Sequence, residues 1–272
     1  MKISVLCASR NNMPNLRTIL GALDMLASGN HEIKYVVSAD IDDDKTTGYV
    51  RVWSVSEIGN IEMVMTHRDC LGSKWNRAAV AFPADVYALV TDRALCITPY
   101  WDNVIADAYS KDDTRITWWS TSAGPVIPIV PRKWMEAAGQ IYTDYFPFWF
   151  DDTWLQELSA MVHGMPMYGV EAACFIAKKN PVTKRMRDLR FWMDFFIAKR
   201  PERMEHAERI REKLGLPDPD MKPVNDWFES NEALWAKDWK KWQDAMQDNS
   251  EPEESYRLAK KSAEEFMNVK AN

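Results

Sequence analysis

The segment Ile3-Ser4-Val5-Leu6-Cys7-Ala8-Ser9-Arg10-Asn11-Asn12 decides the fold of this chain. Its apolar half predicts a short buried strand of a parallel sheet, because such strands are covered on both faces. Its polar half predicts a loop, after which Pro14 stands where the first turn of a helix tolerates proline. Apolar residues at spacings of three and four then predict an amphipathic helix: Leu16, Ile19, Leu20, Leu23 and Leu26.

The same alternation of strand and helix continues along the next part of the chain. Strands are predicted over Ile33 to Ala39, Ile61 to Met65 and Val86 to Val90, and a helix over Ser73 to Phe82. Short connections between such elements imply right-handed crossovers and a mainly parallel sheet flanked by helices. Because ligands of these sheets bind beyond the carboxyl ends of the strands, the polar residues that follow each strand are expected to meet at one edge.

The second half of the chain changes in character. Irregular β structure is predicted from Ile116 to Ile129, and a last strand from Ala172 to Ala177. Helices are predicted over Pro131 to Gly139, Thr153 to His163, Asp188 to Lys199, Pro201 to Leu214 and Trp227 to Met246. We therefore predict an α/β domain over residues 1–180 and a helical C-terminal extension over residues 181–272.

Composition excludes several classes of protein. The 272 residues are 46% apolar and 12% aromatic, which argues against a disordered chain. No apolar run approaches the ~18 residues of a membrane span, and the opening run is too short for a signal peptide. The four cysteines form no CxxC pair, so neither a zinc site nor a disulfide framework is indicated: Cys7, Cys70, Cys96 and Cys174. We expect a soluble, cytoplasmic protein in a reducing compartment.

The net charge of −6 argues against a protein covered in positive charge for nucleic acid. One segment departs from this average, with six cations against the single acid Asp188: Lys178, Lys179, Lys184, Arg185, Arg187 and Arg190. The segment is either an exposed helix face or a surface that binds phosphate.

At this point an ordered set of motifs resembles the nucleotide-binding half of a GT-A glycosyltransferase of the family-two type, in the compact form found in phages. The set comprises the loop after the first strand, the loop that begins at Asp40, Gly72-Ser73-Lys74-Trp75-Asn76-Arg77-Ala78, Thr91-Asp92-Arg93 with Thr98-Pro99-Tyr100-Trp101-Asp102, and Phe150-Asp151-Asp152-Thr153-Trp154. The resemblance covers residues 1–180 and implies a GT-A, Rossmann-like fold that binds a nucleotide sugar.

The resemblance also implies roles for individual residues. Ser9 and Arg10 would line the nucleotide site, and Asp40 would accept a hydrogen bond from an N–H of the base. Lys74 and Asn76 would open a helix near the sugar nucleotide, where a cation and helix N–H groups suit phosphate.

The acids Asp92 and Asp152 have the other implied roles. Asp92 matches the first acid of the DxD-like signature, and Asp152 matches the general base, with Asp151 beside it. The alternative interpretations are a solvated turn at Asp40, a surface lysine at Lys74 and a helix cap at Asp151 and Asp152.

Two departures from the family pattern concern the metal. Arg93 replaces the second acid of the signature, and no histidine follows the last strand, which continues Lys178-Lys179-Asn180. A cation next to a divalent ion would be repelled by ~4 kcal/mol per unit charge at 4 Å and a dielectric constant of 20. We therefore expect no metal cofactor, with Arg93 and the basic segment neutralising the diphosphate. The alternative is Mg²⁺ or Mn²⁺ bound through Asp92.

Thirteen tryptophans are the remaining oddity of the composition. Most are expected in the core, and Trp227, Trp235, Trp239 and Trp242 are spaced as helix-packing residues. One of four others is a candidate for stacking on the acceptor: Trp118, Trp119, Trp149 or Trp154.

The predicted function is transfer of a sugar from a nucleotide sugar, UDP-sugar as the first choice, to an acceptor hydroxyl with inversion. The acceptor is a saccharide or small molecule by default, or a hydroxymethylated base in DNA, extruded from the helix. One rival is nucleotidyl transfer, which needs a metal and a glycine-rich loop. The other is a degenerate GT-A domain that binds a sugar or a partner without turnover.

Overall fold

A computed structural model of the chain describes residues 1–56, 60–67, 70–121, 124, 126–147, 149–165, 169–176, 187–247 and 249–271. The chain divides into two compact units. Unit 1 comprises Met1–Asp69, Ser73–Ile141 and Met167–Lys178, and holds the sheet. Unit 2 comprises Cys70–Gly72, Tyr142–Pro166 and Lys179–Asn272, and is helical. The predicted boundary at residue 180 stays a prediction, and unit 2 also includes residues that precede it.

The sheet of unit 1 is mixed but mostly parallel, as predicted. Its strands are β1 (Lys2–Ala8), β2 (Glu32–Asp40), β3 (Ile61–Thr66), β4 (Val86–Thr91), β5 (Ala94–Cys96), β6 (Thr117–Ser120), β7 (Pro128–Pro131) and β8 (Gly169–Ile176). They lie in the order β3-β2-β1-β4-β7-β6-β8-β5. The pairs β1–β2, β1–β4, β2–β3 and β6–β8 are parallel, and the pairs that involve β7 or β5 are antiparallel.

The central strand β1 is buried along its length apart from Lys2, and so is β2 after its first residues. Helices flank the sheet: α1 (Met13–Leu26), α2 (Asp44–Ser56), α3 (Leu71–Ala81), α4 (Trp101–Lys111) and α5 (Arg132–Ala138). The predicted stripe of α1 is confirmed, since Leu16, Ile19, Leu20 and Leu23 are buried. Apolar burial of this kind on both faces is what a parallel sheet requires.

Helix α2 was not predicted, because its sequence favours strand or turn. Thr46, Thr47, Val50 and Val52 are β-branched, and Gly48 interrupts them. The helix forms because Asp43, directly before it, accepts a hydrogen bond from the Thr46 N–H at 3.1 Å. This bond matches the contact of an N-cap side chain with the third helical residue. Part of the acidic loop is therefore a helix start and not a solvated turn.

Unit 2 consists of α6 (Asp151–His163), α7 (Leu189–Ala198), α8 (Arg200–Leu214), α9 (Lys222–Met246) and α10 (Glu254–Ala271). Its core is a cluster of aromatic rings contributed by residues on both sides of the predicted boundary: Phe146, Phe150, Trp154, Trp192, Phe195, Phe196 and Trp235. The packing role predicted for Trp235 is confirmed by these contacts. Within the part of the chain that the structure describes, no helix has both the length and the apolar character to cross a bilayer.

Candidate active site

The carboxyl ends of β1, β2 and β4 place four of the predicted site residues in one corner of unit 1: Ser9, Arg10, Asp40 and Asp92. Ala8 pairs with Ser38 of β2 and with Thr91 of β4, so the residues that follow these strands are neighbours. The Ser9 N–H donates to the Ser38 carbonyl at 3.1 Å, and the Ser9 hydroxyl donates to Asp92 Oδ2 at 3.1 Å. The parallel topology thus joins side chains that are far apart in sequence.

Asp40 lies at the centre of this corner and is fully buried. Arg10 Nη1 donates to its Oδ2 at 2.7 Å, and the Lys74 ammonium forms an ion pair with its Oδ1. Burial of a carboxylate costs several kcal/mol unless cations and hydrogen bonds compensate it, and both oxygens are compensated here. We call Ser9, Arg10, Asp40, Lys74 and Asp92 the strand-end network. The alternative interpretation of Lys74 as a surface lysine is wrong, since Lys74 is buried.

Arg10 connects Asp40 to the acidic loop. Its guanidinium donates to both oxygens of Asp42, at 2.7 and 2.9 Å, in the two-pronged geometry that suits a carboxylate. The hydrogen bonds from Arg10 to Asp42 and to Asp40 raise the pKa of the guanidinium above its ordinary value. Arg10 is therefore a fixed cation whose side chain remains partly exposed.

Asp43 fixes the loop after β1. Its carboxylate accepts the Asn11 N–H at 2.9 Å, and Asn11 has a φ of 50°, a left-handed conformation that asparagine tolerates. Burial acts to raise the pKa of Asp43, but hydrogen bonds from Thr46 and from the Asn11 N–H lower it below its ordinary value. Sequence reasoning gave Asp43 no role. An acid directly before a helix is a common N-cap signal and could have revealed this role. The β-branched residues of α2 hide that signal, because they do not predict a helix.

Helix α3 delivers Lys74 to Asp40, and two contacts set its position. The Trp75 indole donates to the Leu6 carbonyl at 3.1 Å, and the Ser38 hydroxyl donates to the Lys74 carbonyl at 3.2 Å. Asn76 faces a different neighbour, because its Oδ1 accepts the Ile141 N–H at 2.9 Å. The structure brings Lys74 into the strand-end network and uses the amide oxygen of Asn76 elsewhere.

Asp92 and Arg93 occupy the turn between β4 and β5, and both are half-buried. The Asn12 side-chain amide donates to the Asp92 carbonyl at 3.3 Å. Beneath them, burial and then the charge of Asp92 raise the pKa of the Cys7 thiol. The Arg93 guanidinium follows Asp92, and among the described residues no three His, Cys, Asp or Glu side chains converge.

The Thr98–Asp102 part of the family motif holds the fold together. Asp102 is fully buried and accepts the Ser28 N–H at 2.8 Å and the Ser28 hydroxyl at 2.5 Å. The Trp101 indole donates to the Leu23 carbonyl at 2.8 Å. These contacts attach the start of α4 to the end of α1, so the motif has a structural role here.

Asp151 and Asp152, the carboxylate pair, begin helix α6 in unit 2 and are partly buried. Asp151 Oδ1 accepts the Asp152 N–H at 2.9 Å, and Asp152 Oδ1 accepts the Thr153 N–H at 2.8 Å. The N-cap position is Phe150 and none of the described side chains caps the helix, so the interpretation of these acids as a helix cap is wrong. The arrangement instead places both acids in the first turn of the helix. It does not exclude a chemical role, because a carboxylate oxygen accepts more than one hydrogen bond.

Among the described residues, no cation is a cause of the pKa shifts of the carboxylate pair. Burial, and then the charge of Asp152, raise the pKa of Asp151 to about 7. Burial also raises the pKa of Asp152, and hydrogen bonds from Thr153 oppose that rise. The same two charges raise the pKa of the buried Tyr142 hydroxyl, after burial itself. The pair can therefore take up a proton near neutral pH, which a general base requires.

Three of the four tryptophans considered for acceptor stacking belong to the core, which leaves one candidate. Trp118, Trp119 and Trp154 are at most 3% exposed, because the folds of the two units close around their rings. The Trp119 indole also donates to the Leu89 carbonyl at 2.9 Å. Trp149, two residues before the carboxylate pair, is 36% exposed and is the remaining candidate.

The basic segment is described only at its end. Lys178, Lys179, Lys184 and Arg185 lie outside the described residues. Arg187 donates to the Ser250 hydroxyl at 2.9 Å, and Arg190 donates to Asp194 at 3.0 Å, so both contact side chains of unit 2. Arg187 also lines a cavity of about 490 Å³ with Tyr256, Arg257 and Lys260. Arg257 and Lys260 of this cavity pair with Glu251 and Asp188. Lys261 and Glu264 also line it, so its cations outnumber its acids.

Comparison with known proteins places the fold. No protein-family model matches the sequence, and no curated protein matches it. Among solved structures, the mannosyltransferase PcManGT of Pyrobaculum calidifontis, in complex with GDP-Man and Mn²⁺, is similar with a TM-score of 0.55 and 14% identity. The alignment covers 90% of this chain and 83% of that one. TarS 1–349 of S. aureus in complex with UDP has a TM-score of 0.53 and 13% identity, over 79% and 71% of the two chains.

Another crystal structure of S. aureus TarS 1–349 has a TM-score of 0.53 and 12% identity, over 78% of this chain and 70% of that one. At such identities the likeness concerns the fold. The chain therefore has a mixed α/β fold, with a mostly parallel central sheet flanked by helices, of the kind seen in solved glycosyltransferases.

Proposed function

We propose that the chain transfers a sugar from a nucleotide sugar to an acceptor hydroxyl. The observation that carries the proposal is the strand-end network, in which Asp40, Arg10 and Lys74 meet beside Asp92 at the carboxyl ends of parallel strands. Ligands of open α/β sheets bind at this edge. Two solved structures with the same fold are described as complexes with UDP and with GDP-Man, which supports a nucleotide-sugar donor.

The network suits the nucleotide part of such a donor. Asp40 has both oxygens on cations and is fully buried, so an N–H of the base is proposed to reach it by displacing the partly exposed Arg10 side chain. Arg10 and Lys74 hold this carboxylate in one orientation. UDP-sugar is the first proposal for the donor.

The chemical step is a single displacement with inversion at the anomeric carbon. Asp152 takes the proton of the acceptor hydroxyl as its oxygen forms a bond to that carbon. The bond from the carbon to the diphosphate breaks, and its electron pair leaves with the nucleoside diphosphate. General-base catalysis of this kind contributes about 10²–10⁴ in rate. The raised pKa values of Asp151 and Asp152 suit the uptake of that proton.

Charge on the leaving diphosphate is proposed to be neutralised by Arg93 and the basic segment, without a metal. The guanidinium next to Asp92 supports this part of the proposal, since it occupies the second acidic position of the family signature. Arginine binds phosphate through paired N–H donors. Full activity in EDTA is expected, and activity that EDTA abolishes and Mn²⁺ restores would contradict it.

The acceptor is proposed to be a saccharide or small molecule that stacks on Trp149. This ring is exposed and lies two residues before the carboxylate pair. Arg187 and Arg190 are held by neighbouring side chains, which supports this acceptor class over hydroxymethylated DNA. Binding to duplex DNA that weakens steeply with salt would reverse that preference.

A thermal-shift experiment tests donor binding. UDP-glucose and GDP-mannose are added to the chain with EDTA or with Mn²⁺. A donor at 100 times its Kd stabilises by ~2.7 kcal/mol. Asp92→Asn is expected to lose most of this shift. Asp107→Asn, which changes an exposed acid paired with Lys111 in the same unit, should keep it. No shift with either nucleotide sugar would contradict the proposal, and a shift without turnover would favour a binding module.

A further inference from the structure

Phe150, the residue immediately before the carboxylate pair, has an unusual backbone conformation. Its φ is 72°, in the left-handed region. For a residue with a Cβ this conformation costs about 1–2 kcal/mol. Among the described residues the other non-glycine cases are Asn11, Tyr100 and Asp188. Phe150 differs from the exposed Tyr100 because its ring is buried, at 6% exposure.

The C-terminal helices hold Phe150 in this conformation. Its ring stacks on Phe196 of α7, with centroids 4.9 Å apart and planes inclined by 28°. Trp235 of α9 meets the same ring edge-on at 5.6 Å, and Trp235 also meets Phe196 at 5.6 Å. Aromatic pairs contribute about 0.5–1.5 kcal/mol each beyond their buried area. Two such contacts are enough to offset the backbone cost.

Helix α8 fixes Phe196 in turn. Arg203 is fully buried, donates through Nη1 to the Phe196 carbonyl at 2.6 Å and lies 3.8 Å from the centre of its ring. The same guanidinium donates through Nε to Glu157 of α6 at 3.0 Å. Arg203 therefore joins the helix that carries the carboxylate pair to the helix that carries the ring under Phe150.

The conformation of Phe150 determines how α6 begins. The Phe150 carbonyl accepts the Trp154 N–H at 2.7 Å, the bond that closes the first turn after Asp151 and Asp152. Both acids bond to amides of that turn. A relaxed φ at Phe150 would redirect this carbonyl and the first residues of the helix with it.

We propose that Phe150 is a positioning residue for the carboxylate pair, and that the C-terminal helices act on the pair through Phe196, Trp235 and Arg203. The inference rests on the proposed function, because it assigns a purpose to the placement of Asp152. It assigns a purpose to two aromatic residues of the charged helical segment, Phe196 and Trp235, whose rings contact Phe150. The strain is stored at the site that uses the geometry.

The pKa of the carboxylate pair depends on its burial and on nearby charges, so a pH titration of the pair reports its position. Asp151 and Asp152 act on each other and on the Tyr142 hydroxyl. Glu157 and Arg203, further along α6 and on α8, compensate each other as an ion pair with N–O distance 2.9 Å. Burial is the largest cause of the raised pKa of Asp151, so a pair that moves toward solvent titrates at lower pH.

The test is a ¹³C-carboxyl NMR titration of the full chain labelled at aspartate, assigned with Asp151→Asn and Asp152→Asn. In the unaltered chain one carboxyl is expected to titrate near pH 7. Phe150→Ala keeps the cost of a positive φ and loses the ring contacts. It should lower that value by at least about one pH unit, equivalent to 1.4 kcal/mol. Phe150→Gly loses the ring contacts but permits a positive φ without cost. Its carboxyl pKa should therefore lie between those of the unaltered chain and Phe150→Ala.

Phe266→Leu is the matched control, since Phe266 meets Phe195 at 5.6 Å in the same aromatic cluster and has no ring contact with Phe150. It should leave the titration unchanged. If Phe150→Ala does not fold, Trp235→Phe should give a smaller shift in the same direction. A titration unmoved by either Phe150→Ala or Trp235→Phe, or moved equally by Phe266→Leu, would overturn the inference. Turnover by Asp152→Asn tests the proposed function separately, because the titration needs no substrate.

Discussion

The two acidic regions of the molecule treat buried carboxylates in opposite ways. In unit 1, Asp40 has one oxygen on Arg10 and the other on Lys74, and it is fully buried. In unit 2, the pKa shift of Asp151 has contributions from burial, Asp152 and backbone amides, and none from a cation of the described residues. The first arrangement makes a fixed negative centre. The second makes a group that gains and loses a proton near neutral pH.

This difference separates binding from chemistry. A buried carboxylate held by two cations keeps its charge and position until a ligand displaces one of them, which suits binding. A pair of acids without cations has a pKa matched to proton transfer, which suits catalysis. The difference also predicts opposite effects of mutation on the free energy of unfolding. Loss of a cation that pairs with Asp40 should lower it, and loss of the Asp151 charge should raise it.

Replacement of Lys74 has the largest predicted effect on stability. Lys74→Met leaves the buried Asp40 with Arg10 alone. Removal of one partner of a buried ion pair costs about 3–5 kcal/mol, and the remaining guanidinium places this case near the lower value. Chemical denaturation should report the loss, and Lys74→Met with Asp40→Asn should recover part of it.

Lys2→Met is the matched control for that experiment. Lys2 pairs with Glu32 at 3.6 Å, and both side chains are more than 60% exposed. Such a pair contributes less than about 1 kcal/mol. If Lys74→Met is no more destabilising than Lys2→Met, Asp40 is not a compensated buried charge and the comparison fails.

The pH dependence of turnover is predicted from the carboxylate pair. Asp151 has a raised pKa of about 7, and Asp152 is raised beside it, so one proton occupies the pair below that pH. The rate should fall about tenfold per pH unit below 7, since a protonated base accepts no proton. Asp151→Asn removes the charge next to Asp152, so the fall in rate should begin at a lower pH. A rate that stays flat down to pH 5 would contradict the assignment of the pair.

The smallest predicted effect is a gain in stability from the same substitution. Because the folded-state pKa of Asp151 is raised, folding takes up a proton between pH 4 and 7. The stability from this group is complete at low pH and is lost as pH rises through 7. Asp151→Asn should therefore melt at higher temperature than the unaltered chain at pH 8.5, by about 3 °C or more, with a gap that narrows toward pH 4.

Asp226→Asn serves as the control for that gain. Asp226 is an exposed acid of unit 2, paired with Lys222 at 3.1 Å. Its replacement should change the melting temperature little at any pH. An Asp151→Asn chain that is less stable than the unaltered chain at pH 8.5 would show that the carboxyl is favourably charged in the fold.

Local patterns in the sequence predicted much of unit 1. The strands β1, β2 and β4 and the stripe of α1 follow from apolar periodicity, and their parallel arrangement places Ser9, Asp40 and Asp92 at one edge. Helices α2 and α4 were missed, because Thr46, Thr47 and Val50 favour strand and the turn at Tyr100 has a φ of 57°. Tertiary contacts decide those elements.

The partners of the site residues could not be predicted from sequence. Lys74 reaches Asp40 only because Trp75 and Ser38 hold α3 against the strand ends. The sequence does not distinguish the exposed Trp149 from the buried Trp118 and Trp119, all three being candidates for stacking on the acceptor. The strain at Phe150 depends on α7 and α9, which follow it by many residues. Such features exist only after distant segments have packed.

The most direct test of the account is turnover by Asp152→Asn. Release of nucleoside diphosphate from UDP-glucose and GDP-mannose is measured with saccharide acceptors, at pH 8 and in EDTA, for the unaltered chain, Asp152→Asn and the control Asp226→Asn. The account predicts turnover by the unaltered chain and the control. For Asp152→Asn it predicts a loss of about 10²–10⁴ with the donor-induced thermal shift retained. Turnover by Asp152→Asn within a factor of about two of the unaltered chain would contradict it.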